Sequence, residues 1–159
     1  MSEAEIFKVR NRLANHVAEP GGMTAGMAGS RAARELAAQQ GKSYAAIGEA
    51  LETLEWLCQD KAAPMDSVYD LSTTVLDIAG LFDDKPLCRA AYSLCELADK
   101  LRTRGAADWA SIKIHVNGMR LICNTPEADR EGLTAMVEGL WMLTERLRID
   151  DGDAEAPAA

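Results

Sequence analysis

Hydrophobic positions recur along this chain at helical spacing. Ile6, Val9, Leu13 and Val17 share one stripe, Lys8, Arg10 and Arg12 lie largely off it, and Pro20-Gly21-Gly22 stops the segment. The next run carries Leu36, Gln40, Tyr44, Ile47, Leu51, Leu54 and Cys58 at steps of four and three, close to a heptad seam. Gly41 either breaks this run into two helices or sits inside one long helix, at a cost of about 1 kcal/mol that a packed helix absorbs.

Pro64 suits the first turn of a third segment, with an inward stripe of Val68, Leu71, Val75, Ile78 and Phe82. Its other face shows Asp66, Asp70, Thr73 and Asp77. Pro86 starts the next helix, with Leu87, Ala91, Leu94, Ala98 and Leu101 inward and Gly105 as its stop. Residues 108–123 are ambiguous. "SIKIHVN" alternates as a strand does, but the longer segment reads as a helix, with Asp108 as N-cap and Trp109, Ile112, Val116, Met119 and Cys123 in line. A lone strand has no stability and no partner strand is evident, so the helix is preferred. A last helix follows, with Thr125 as cap, Pro126 at its first position and acids in its first turn.

The pattern predicts an all-α fold: an antiparallel helical bundle of about four helices with an N-terminal helical extension. The expected parts are a basic helix and linker over 1–22, the bundle over 23–149 and a disordered acidic tail over 150–159.

Composition narrows the partners. The 159 residues are 48% hydrophobic with a net charge of −8, and the first 45 residues carry a net +2 against −10 for the rest. Such a body does not suit nucleic acid, whose phosphates require a basic surface. An acidic body with a mildly basic leader suits protein partners. No apolar run approaches eighteen residues and the first residues lack a signal-peptide core, so no membrane span and a cytoplasmic location are expected.

No catalytic or cofactor motif stands out. Phosphate-loop, dinucleotide and metalloprotease signatures are missing, and "GGMTAGMAG", though glycine-rich, lacks a lysine and a preceding strand and reads as a flexible linker. Cys58, Cys88, Cys95 and Cys123 show no C-x-x-C spacing and read as reduced thiols within apolar helical patterns. With two histidines, His16 and His115, no metal set and no cofactor is expected. Met136, Trp141 and Met142 follow helical spacing and read as core, with a hydrophobic docking face as the alternative.

One stretch departs from plain helical design. "DIAGLFDDKPLCRAA" puts Gly80-Leu81-Phe82 and a charged turn between two helices. Phe82 would plug the end of the bundle and Gly80 would leave room for an approaching partner. Over residues 66–102, "STTVLDIAGLFDDKPLCRAAYSLCELADKL" resembles the histidine-phosphotransfer domain. Ala79, Gly80 and Phe82 match the residues before that family's turn, and the following helix matches its next helix. Three positions depart: the family's phosphorylated histidine falls on Thr73, its lysine on Leu76 and its glycine on Asp77. A phosphorelay needs a labile phosphoramidate, which a threonine hydroxyl does not form, and Leu76 offers no cation to the phosphoryl oxygens. Neither histidine of the chain has the family's spacing to a lysine and a glycine.

A broader resemblance covers most of the chain. Asn-Arg-Leu before Pro-Gly-Gly, Tyr-Asp-Leu-Ser, Ala-Ala-Tyr-Ser-Leu-Cys and Val-Asn-Gly-Met-Arg-Leu are similar to the CheE-type accessory proteins of alphaproteobacterial chemotaxis operons. Together the two resemblances imply a non-enzymatic helical adaptor in chemotaxis or two-component signalling. It would bind a response-regulator receiver or histidine kinase domain through Asp70, Thr73, Thr74, Asp77 and Gly80. The alternative is a structural module that forms a homo-oligomer through the seam of residues 36–58.

Overall fold

The computed structural model describes residues 21–61, 63–126, 129 and 132–149. The predicted helix before residue 20, with His16 and its basic cluster, and the predicted tail over 150–159 lie outside the described residues. The described residues are all-helical and contain no strand: α1 (Ala25–Asp60), α2 (Met65–Leu81), α3 (Lys85–Arg104), α4 (Trp109–Asn124) and α5 (Thr134–Ile149).

The chain divides into two units, Met1–Gln39 and Gln40–Ala159. The division falls inside α1. In the first unit the described residues are exposed apart from half-buried Leu36. The stretch expected to be a linker enters α1 instead. Thr24 caps it by accepting from the Met27 N–H at 3.2 Å, and the alanines that follow propagate a helix without needing burial. Gly41 lies within α1, which is one helix.

In the second unit the seam turns inward from Ile47, and Leu51, Leu54 and Cys58 are buried in the common core. Gln40 is exposed and Tyr44 half-buried. α3 is the central element: it touches α2, α4 and α5. All five of its predicted inward residues, Leu87, Ala91, Leu94, Ala98 and Leu101, are buried. Its end at Gly105 is left-handed, with φ of 62°, a conformation in which glycine avoids the Cβ clash.

Three expectations need correction. The buried line of α2 is Met65, Val68, Ser72, Val75 and Ala79, whereas Leu71, Ile78 and Phe82 are half-buried. Ser72 is tolerated there because its hydroxyl donates to the Val68 carbonyl at 2.6 Å. The last helix does not start directly after Thr125. Thr125 ends α4, donating its hydroxyl back to the Leu121 carbonyl at 2.7 Å, and α5 begins at Thr134. Finally, Trp141 and Met142 are 37% and 59% exposed and do not belong to the core. α4 does form over the ambiguous segment, and Asp108 caps it by accepting from the Ser111 N–H at 3.1 Å.

Candidate functional site

Asp70, Thr73, Thr74 and Asp77 recur at steps of three and four along α2, which places them on one side of the helix. Asp70, Thr74, Asp77 and Gly80 are exposed and Thr73 is half-buried. Both threonine hydroxyls donate to the Asp70 carbonyl, at 2.8 and 2.9 Å. Each proton is thus already given to the helix's own backbone. Asp66, the first acid of the stripe, is held by Arg102 of α3 at 3.1 Å. The same guanidinium also binds Asp99 and lies over the Tyr69 ring, 5.5 Å from its centroid. Leu76 packs against the core and leaves this face. Asp77 acts across to α3: burial, and after it the Asp77 carboxylate, pushes the Cys95 thiol up to about 11.

The turn beside this face is held by backbone. The Asp83 N–H returns to the Gly80 carbonyl at 3.3 Å and the Asp84 N–H to the Ala79 carbonyl at 3.0 Å. This is a Schellman closure in which Asp83, with φ of 55°, stands where glycine is usual. Asp84 is buried. Its carboxylate caps α3 at the Leu87 N–H, 3.4 Å, and accepts from the Tyr44 hydroxyl at 2.9 Å. The Phe82 ring, half-buried, packs on the Tyr44 ring with centroids 5.8 Å apart. It therefore covers the end of α2 without being the enclosed plug predicted. A Cβ on Gly80 would meet nothing within 4 Å.

A second polar constellation went unrecognised in the sequence. His115 of α4, Ser93 of α3 and Thr144 of α5 are each wholly buried and bonded to one another. The His115 Nε2 lies 3.0 Å from the Ser93 hydroxyl and 3.2 Å from the Thr144 hydroxyl, and those hydroxyls are 3.0 Å apart. The His115 Nδ1 lies 2.8 Å from the Ser111 carbonyl. A carbonyl only accepts, so Nδ1 carries the proton and Nε2 accepts. Burial holds the imidazole below the ordinary histidine value. The Ser93–His115 distance suits a nucleophile and its base, but neither side chain is exposed, so a substrate has no approach. One signal was available: His115 stands three residues after Ile112 and four before Met119, within the apolar stripe of α4.

Two open grooves lie on the second unit. One of about 240 Å³ is lined by Arg89, Tyr92, Val137 and Trp141, with the Tyr92 and Trp141 rings stacked at 5.9 Å. The other, of about 340 Å³, lies between Tyr44, Gly48 and Arg120, whose guanidinium pairs with Glu55 at 2.8 Å. Among the described residues no group of three His, Cys, Asp or Glu side chains could hold a metal ion. None of the described helices is long and apolar enough to cross a membrane. No family model, curated protein or solved structure matches the chain.

Proposed function

We propose that this protein is a non-catalytic helical adaptor of bacterial chemotaxis or two-component signalling, acting in the cytoplasm. Its helices form an antiparallel bundle of about four members with an N-terminal extension. It binds a response-regulator receiver or histidine kinase domain through the α2 face of Asp70, Thr73, Thr74, Asp77 and Gly80. The single observation that supports this reading is the exposure of that face on a helix whose remaining sides are spent on the core. Thr73 stands at the phosphohistidine position of the family the hairpin resembles, and His115 is sealed from any phosphoryl donor. The partner is thus bound without phosphoryl transfer.

The homo-oligomeric alternative loses part of its surface. From Ile47 to Cys58 the heptad seam packs inside its own chain and is not free for a second copy.

Binding to purified receiver and kinase domains tests the proposal, with phosphotransfer from the phosphorylated domains followed in parallel. A complex without acid-labile label on the adaptor is expected, and Asp77→Arg or Thr73→Arg should weaken the complex while leaving the helical circular dichroism intact. Unchanged affinity in both variants would make this a merely solvated face.

A further inference from the structure

We propose that Ser93, His115 and Thr144 form a proton-operated latch, which holds α5 against α3 and α4 while His115 is neutral and lets α5 open when the imidazole takes a second proton.

Over residues 134–147, α5 buries Val137, Leu140 and Thr144 and rests half-buried Met136 and Leu147 on the core, whereas α3 buries nine residues. Thr144 is the polar member of that set, and its hydroxyl lies within bonding distance of both other helices. It reaches the Ser93 hydroxyl at 3.0 Å, the Ser93 carbonyl at 3.3 Å and the His115 Nε2 at 3.2 Å.

A second proton would convert Nε2 from acceptor to donor. The Leu140 carbonyl and the Ser93 and Thr144 hydroxyls, once turned, would then be the acceptors, and the cluster would hold a buried cation among neutral groups. None of the imidazole's hydrogen-bond partners is a carboxylate. Charged groups on the surrounding elements bond to other partners than the imidazole. Lys100 of α3 donates to the Thr144 carbonyl at 3.3 Å and pairs with Glu145 of α5 at 3.7 Å. Asp108, at the start of α4, caps Ser111. The Cys95 thiol of α3 responds to Asp77 of α2. A buried cation with no counter-charge is costly, and separating α5 admits the water that relieves it. Opening would also uncover Gly118, over which Leu140 sits, and the face of Tyr92 that stacks on Trp141.

The direction with pH follows from the lowered histidine value. The open or unfolded chain binds the proton more readily, so closure is complete above about pH 6.5 and weakens as pH falls below it. The weakening stops once the pH is below the closed-state value. Between the two values the opening constant rises about tenfold per pH unit.

Amide hydrogen exchange on the whole chain between pH 8 and pH 5, corrected for the intrinsic rate, tests the latch. Residues 134–149 should lose protection by up to about tenfold per pH unit below about pH 6.5, while α2 and α3 keep theirs. His115→Gln, which cannot be protonated, should remove that dependence. Equal protection of α5 at both ends of the range would overturn the proposal. So would a loss shared equally by α2 and α3, or a folded His115→Gln variant that keeps the wild-type profile. Should that variant not fold, the wild-type exchange and the titration of the His115 ring resonance decide: a ring that titrates at the ordinary value with α5 still protected would refute the latch.

Discussion

The α2–α3 turn and the seam of α5 both join helices, by opposite means. At the turn, backbone groups of residues 79–84 close on one another, and Tyr44 joins them from afar. At the seam, the bonded side chains stand 22, 29 and 51 residues apart. The turn is made by local chemistry that would form in any chain reversing there. The seam exists only once three helices have been brought together, and it buries polar groups that are costly unless all are satisfied. The turn is therefore a robust feature and the seam a conditional one.

Substitutions can separate the two, the largest effect coming where both depend on the same helix. Leu94 is fully buried in α3, so Leu94→Ala should cost about 2–5 kcal/mol and weaken turn and seam together. Urea denaturation followed by circular dichroism measures it; a loss under about 1 kcal/mol would show that α3 is not the common support.

Gly118→Val acts on the seam alone. A Cβ there already comes within 2.9 Å of a Leu140 methyl, and the further methyls of valine cannot be cleared by a small shift. A loss of about 1–3 kcal/mol is expected, with exchange protection lost in α5 before α2. Gly118→Ala should lie near neutral, since about 1 kcal/mol of helix propensity offsets the displacement of that methyl.

Phe82→Ala acts on the turn alone. Because the ring is half-buried, the expected loss is about 1–2 kcal/mol, below that of an enclosed aromatic. Exchange at the start of α3 should accelerate while α5 is unaffected; the reverse order would break the comparison.

The smallest effect belongs to Asp77→Asn. Stability should stay within about 0.5 kcal/mol of wild type. Removing a carboxylate that opposes the thiolate should move the Cys95 ionisation down from about 11, with burial still holding it above the usual thiol range. Ultraviolet titration of thiolate absorbance, compared between variant and wild type, reads this directly, and an unmoved midpoint would mean Asp77 does not act on Cys95.

How much of this was legible varies with distance along the chain. The inward residues of α3 and the capping roles of Asp108 and Gly105 follow from neighbours within a turn or two. The exposed side of α2 was legible for the same reason. The rotation of its buried line onto Ser72 and Ala79 was not, because Leu71 and Ile78 fit a helical stripe equally well until α3 selects which side it meets. Thr125 and Pro126 fit the start of a helix by local pattern, yet α5 begins at Thr134.

By itself the sequence determined that this chain is helical, where most helices begin and end, and which side of α2 stays wet. Those outcomes rest on propensity, capping and 3.6-residue periodicity, which act over a few residues. Tertiary structure alone decided that the seam turns inward at Ile47, that Trp141 stacks outside on Tyr92, and that His115 is buried among hydroxyls with its imidazole held below the ordinary histidine value. Each depends on which distant helix arrives at a given face. A histidine's charge state, above all, is set by desolvation and by partners far along the chain, which no local pattern of residues encodes.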